Sequence, residues 1–209
     1  MICFYIDTTS NYLYTGLSKD NLLLIERKLN LNHDLSTFAL DEIRKMFIDA
    51  KIDPKDVDKI IVVNGPGSFT GIRIGVTIAK VFAYLLKKDI TTISSLEAMN
   101  VSCKDKKLHV PIINARRGYV YGAIYDGDRT VLMEQHISLE KLKLILIGQK
   151  RDYEFVSNDK FDDFGCQSYD PDILKIISEF KDRGSQNPHF VNPVYLKLTE
   201  AEENKMKDN

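Results

Sequence analysis

Three cysteines in 209 residues, Cys3, Cys103 and Cys166, are too few and too far apart for a disulfide framework, and no two have zinc-ligand spacing. A reducing compartment fits that usage. Histidine is equally sparse: His33, His109, His136 and His189 contain no i, i+4 pair, which leaves a helical metal site unsupported. An excess of one charge is lacking too. The formal net charge is −1 and the pI ≈ 6.4, so nothing drives the whole chain toward polyanions, and no basic stripe with interleaved aromatics is visible. A local basic patch stays open. No apolar stretch approaches the ~18 residues of a membrane span, and the chain begins on a strand-like run, Ile2 to Ile6, without a basic leader and cleavage site. The expectation is a cytoplasmic protein without membrane contact. What is present, 44% hydrophobic and 28% charged residues, suffices for a real core in one domain or two small lobes.

The chain is organised around Gly65-Pro66-Gly67-Ser68-Phe69-Thr70-Gly71, which leaves an apolar β-branched run, Lys59 to Asn64, and opens an apolar helix from Ile72 to Lys87. Strand, glycine-rich loop, helix invites a phosphate reading, because backbone N–H groups at a helix start bind anions. The details disagree: a P-loop needs Lys and Ser/Thr directly after its last glycine, whereas Ile72 and Arg73 follow Gly71. The loop also misses the Gly-x-Ser-x-Gly hydrolase elbow by one position. At 3.6 residues per turn the polar residues Arg73, Thr77, Lys80 and Tyr84 form one narrow stripe, and the rest of the helix is apolar. Gly71, Gly75, Ala79 and Ala83 recur every fourth residue, a strip of small side chains that lets another backbone approach. That backbone belongs either to the protein's own sheet or to a partner's helix.

In chain order, Ile2–Thr8, Tyr12–Ser18 and Leu22–Lys28 read as an antiparallel meander. A helix follows, capped at Asp34 or Ser36 and running to Ala50; then come strand 59–64, the long helix, a strand at Ile90–Ile93 and a helix from Ser95. This β-β-β-α-β-α-β-α order is that of the ribonuclease-H-like half of actin-like proteins. Beyond the polar run Ser102 to Lys107, strands are expected at Leu108–Asn114, Tyr119–Tyr125 and Arg129–Gln135, an apolar run at Leu142–Ile147, and an amphipathic helix over Asp172–Lys181. The reading is an α/β, two-lobed fold: an N-terminal lobe over 1–102 with a mixed sheet, a smaller degenerate C-terminal lobe over 103–198, and a fraying tail over 199–209.

Candidate chemistry is thin. Asp7 and Thr8 sit where an actin-like ATPase places its first phosphate loop, and with Gly65 and Gly67 they are the candidate nucleotide contacts. That loop lacks the glycine that lets backbone approach phosphate, and turn capping is the favoured explanation of Asp-Thr-Thr-Ser. Arg116 and Arg117, in a tight turn between strands, could grip phosphate or be solvated. The first helix spreads Phe38, Leu35, Met46, Ala39, Ala50, Ile43, Phe47 and Leu40 over roughly 200° of arc, about twice what packing on one sheet asks. Leu40, Ile43 and Phe47 are expected to form an exposed patch that another protein covers.

GPGSFTGIRIGVTIAK, followed by TTISSLEAM at 91–99 and NARRGYVYGAIY at 114–125, resembles the bacterial TsaB (YeaZ) family. The resemblance extends through Ile6 to Ser10, His33 to Phe47, and Pro193 to Lys197, and Asn114 departs from the family's usual Asp. It implies a degenerate relative of TsaD, the subunit with ATP and metal sites, in which an HMEGH segment supplies two metal-binding histidines. Ser95 and Met99 stand at those two places here, so the resemblance implies no catalytic residue, metal or cofactor in this subunit. It further implies an actin-like (ASKHA) fold and a role in making threonylcarbamoyladenosine beside the tRNA anticodon. TsaD is then the partner that is bound, stabilised and activated, TsaE joins through the complex, and tRNA is reached only by way of it. The expected interface is Leu40, Ile43, Phe47, Gly71, Gly75, Ala79 and Ala83, and the same surface is expected to pair two copies into a homodimer when the chain is alone. The competing reading is a free-standing actin-like ATPase or kinase, with a peptidase behind it.

Overall fold

The structure, a computed structural model, describes residues 1–104 and 107–197. The tail expected to fray over 199–209, and Asp105 and Lys106 in the boundary run, lie outside the described residues.

Two compact units emerge. The first comprises Met1–Cys103 and Asp170–Pro193, and the second comprises Lys104–Tyr169 with the described residues from Val194. In the first unit β1 (Ile2–Asp7) lies at the centre of the sheet β3-β2-β1-β4-β5. It pairs antiparallel with β2 (Tyr12–Lys19) and parallel with β4 (Lys59–Val63). β3 (Leu22–Asn30) extends the antiparallel edge and β5 (Asp89–Ile93) the parallel one. Buried on both faces, β1 and β4 are near-continuous apolar runs, as parallel strands require. β3, at the edge, alternates instead, with Leu22 and Leu24 exposed.

α1 (Leu35–Ala50) and α2 (Phe69–Leu86) share one face of this sheet. They meet over Phe4, where the Phe4–Phe47, Phe4–Phe82 and Phe47–Phe82 ring centroids lie 5.3, 5.4 and 5.6 Å apart. By length and mean hydropathy, 1.5 over 18 residues, α2 would pass as a membrane span, contrary to the sequence reading. Packing accounts for part of that character: Ile72, Val76, Ala79 and Ala83 are buried in the unit's own core, and a third of the helix in all is buried. On its polar stripe Lys80 donates to the His189 carbonyl and Tyr84 meets the His189 ring. α3 (Ser95–Ser102) starts with a capping box, Ser94 with Glu97, which satisfies two helix-start donors reciprocally. It packs with α5 (Ile173–Phe180), which also contacts β1, β2 and β3. Gly16 of β2 lies beneath α5, and a Cβ there would come within 2.8 Å of Ile173.

The second unit holds the sheet β8-β7-β6-β9. β6 (Leu108–Asn114), β7 (Tyr119–Asp126) and β8 (Arg129–Ser138) form a meander, and β9 (Tyr153–Val156) pairs parallel with β6. The apolar run at Leu142–Ile147 is helical, as α4 (Leu139–Gln149), and its Leu142 and Leu146 enter the core. Two mixed sheets with packed helices make this the actin-like, ribonuclease-H-like class expected from the order of elements.

Candidate functional site

The loop after β1 and the loop before α2 are folded onto each other. Asp7 is 2% exposed, and its Oδ1 accepts Thr9 N at 2.8 Å and Thr9 Oγ1 at 2.7 Å, with Tyr5 Oη at a long 3.5 Å from Oδ2. Burial pushes the Asp7 carboxyl above its ordinary value, with the Thr9 and Tyr5 hydrogen bonds pulling the other way. Thr8 Oγ1 donates to Gly71 O at 2.7 Å, and Ser68 N donates to Thr9 O at 2.7 Å. A Cβ on Gly67 would lie 2.3 Å from Thr9 O, one on Gly71 2.0 Å from Thr8 O, and one on Gly75 2.3 Å from Thr8 Oγ1. These glycines therefore admit another stretch of the chain's own backbone, in the place where a phosphate loop would hold its ligand. Gly65 is buried beside them, and its carbonyl accepts Ser95 N at 3.0 Å. Ser95 Oγ closes the loop from α3 by donating to Pro66 O at 2.5 Å. Ser95 and Met99, the two positions matched to metal ligands, are both buried.

The expected interface needs correction at six of its seven residues. Ile43, Phe47, Ala79 and Ala83 are at most 4% exposed, and Gly71 and Gly75 are buried against Thr8. The strip of small residues faces the chain's own β1 loop and sheet, and Ile43 and Phe47 fill the core between α1 and β1. Only Leu40, 60% exposed, offers surface. The apolar side chains left outside are others: Phe38 and Ile48 on α1, and Val81 and Leu85 on α2, between 44% and 67% exposed. The signal that finds Val81 and Leu85 is the second apolar stripe of α2, in which Ile74, Ile78, Val81 and Leu85 recur at i, i+4, i+7 and i+11. Ile74 and Ile78 pack half-buried against the core, while Val81 and Leu85 reach solvent. This exposed stripe with Leu40 is the candidate interface. Arg116 and Arg117 lie exposed in the β6–β7 turn of the second unit.

A family model described as TsaD, tRNA N6-adenosine threonylcarbamoyltransferase, matches residues 32–168. The chain is 29% identical over 221 residues, 97% of its length and 96% of the relative's, to the tRNA threonylcarbamoyladenosine biosynthesis protein TsaB of Bacillus subtilis. It is 31% identical over 150 residues, 69% of its length and 70% of the relative's, to the TsaB of Buchnera aphidicola subsp. Schizaphis graminum. In fold alone it is similar to a Pseudomonas aeruginosa structure described by its similarity to peptidase YeaZ, with TM-score 0.80, 18% identity, and coverage of 94% of this chain and 99% of that one. The match to the family model over 32–168, with 31% identity across more than two thirds of one TsaB and near-complete coverage of another, establishes that the chain belongs to the TsaB (YeaZ) family.

Proposed function

We propose that this chain is the TsaB subunit of tRNA threonylcarbamoyladenosine biosynthesis, and that it binds, stabilises and activates TsaD without supplying catalytic residues of its own. One observation carries the reading: Leu40, Val81 and Leu85 stand 50–67% exposed on two adjacent helices, an apolar surface of the kind that marks a protein contact. Support for the non-catalytic part comes from the closed loop. Asp7 is buried with Thr9 as its hydrogen-bond partner, and Thr8 is spent on Gly71. A free-standing ATPase would need both open to phosphate and metal. In this reading ATP and metal belong to TsaD, TsaE joins through the complex, and the work is done in the cytoplasm on tRNA. The test is co-purification of this chain with TsaD of the same organism, followed by a tRNA-modification assay with and without it. Formation of a stoichiometric complex and dependence of the modification on this chain are expected. ATP turnover by the isolated chain that Asp7→Asn abolishes would replace the reading with an ATPase.

A further inference from the structure

The β6–β7 turn of the second unit carries a feature that neither the closed loop nor the apolar stripe uses. Arg116 (φ 66°), Arg117 (φ 53°) and Gly118 (φ 76°) are three consecutive left-handed residues. Hairpin turns with successive positive φ are ordinarily built from Asn, Asp and Gly, because a side chain with a Cβ is crowded there. Two arginines occupy that backbone here. The turn is held open and firm: Arg116 N donates to Asn114 Oδ1 at 2.8 Å, Ala115 N to Tyr119 O at 2.9 Å, and Leu139 N to Gly118 O at 2.9 Å. Asn114 N in turn donates to Asp159 Oδ2 at 2.7 Å, which ties the turn to the 159–164 loop.

Between turn and loop lies a cleft of ≈ 440 Å³, and Arg116, Arg117 and Lys160 line it. Among the described residues none of these three side chains has a hydrogen-bond or ion-pair partner. Asp162 and Asp163 also line the cleft and moderate its charge. Its walls are aromatic: Phe161 and Phe164 stack at 5.1 Å, and Tyr119, 43% exposed, lies nearly parallel on His136 at 4.8 Å and 11°. Guanidinium forks beside an aromatic platform suit one ligand chemistry, a phosphodiester with an unstacked base next to it.

We propose that this cleft is an RNA contact, in which Arg116, Arg117 and Lys160 hold backbone phosphates and Tyr119 supports an unpaired base. It rests on the reading of the chain as a tRNA-modification subunit, and it adds a direct contact where that reading has tRNA reached through the complex. With two carboxylates in the cleft and a whole-chain charge of −1, the contact positions RNA already delivered to the complex and is weak alone.

The probe is a labelled full-length tRNA transcript, titrated at several salt concentrations into the complex with TsaD and, at low salt, into the isolated chain. Arg116→Asn with Arg117→Gly removes both cations while suiting the left-handed backbone, so folding is not at stake. The variant should bind the transcript roughly tenfold more weakly at ~50 mM salt, with a salt slope smaller by about 2, one for each lost phosphate contact. Lys160→Gln should add a further decrement of about 1 in slope. Equal affinity of wild type and variant in both titrations overturns the cleft as an RNA contact and leaves the assignment to the modification pathway intact. Loss of TsaD binding in the variant, with RNA affinity of the isolated chain unchanged, makes the cleft a protein-docking site and also overturns the proposal. Failure of the wild-type chain to bind TsaD counts against the proposed function, while the isolated-chain titration still decides the cleft.

Discussion

At Gly71 the constraint is atomic. A methyl group there would stand 2.0 Å from the Thr8 carbonyl oxygen, and backbone cannot yield as the end of a flexible side chain can. Gly71→Ala should therefore lose at least the ~3 kcal/mol at the upper end of ordinary overpacking, read as a shift in the urea midpoint. A change below about 0.5 kcal/mol, the range of neutral surface substitutions, would show that the two loops are not in contact. Asp7 gives a prediction of a different kind. Its folded value lies above the ordinary 3.8, so the folded chain holds the proton more tightly than the unfolded one. This group's favourable contribution is present below about pH 3.8 and is lost as pH rises through the raised value. Asp7→Asn keeps an acceptor for Thr9 and removes the charge, so the melting temperature of the variant relative to wild type should rise from about pH 4 to about pH 8. A flat difference would mean that the carboxylate is hydrated, and the closed-loop account of Asp7 would fall with it.

Among the elements, those with strong local signals were legible from the sequence. The glycine-rich loop places α2, expected from Ile72 and starting one turn earlier at Phe69, the helix expected from Ser95 is α3, and β6 runs over the Leu108–Asn114 expected of it. β9 carries no such signal: four residues, Tyr153–Val156, are too short for a periodicity, and they form a strand because β6 offers a parallel edge. The wide apolar arc of α1 was visible, but which part of it faced outward was not. Periodicity fixes angles around one helix, whereas the position of α2, set by the Phe47–Phe82 stack, decides what is covered. For the same reason sequence position placed 170–193 after the boundary, and the structure clusters it with the first unit. There Arg183 forks onto Glu97 at 2.7 and 3.1 Å, and Lys59 reaches the Arg183 carbonyl. α5 then carries Ile173, Ile176, Ile177 and Phe180 into that unit. Ile176→Ala, at a fully buried position, should cost about 2–5 kcal/mol by cavity formation. A loss near zero in chemical denaturation would detach α5 from the core.

For the whole molecule the question is what covers Leu40, Val81 and Leu85. Folding has already buried the apolar residues that face the sheet, and on the proposed function these three are left for a partner surface. Two copies related by a two-fold axis are the commonest way for a soluble chain to bury such a face. The family model described as TsaD matches residues 32–168, a span that includes both α1 and α2. The prediction is that one face serves both assemblies, so that a homodimer and the complex with TsaD exclude each other. Leu85 is 67% exposed, so Leu85→Glu leaves the folded chain within about 0.5 kcal/mol of wild type. In either assembly it buries an unpaired charge, which costs several kcal/mol, roughly 3–5 where a buried charge is left uncompensated. Sedimentation should show a wild-type dimer that is monomeric as Leu85→Glu. Adding TsaD should convert the wild-type dimer into a one-to-one complex and leave the variant unbound. Phe47→Glu is no substitute as a probe, because Phe47 is 4% exposed and the change would unfold the core it belongs to. A monomeric wild type would remove self-association from this face, and TsaD binding at wild-type affinity by Leu85→Glu would move the partner to another surface of the chain.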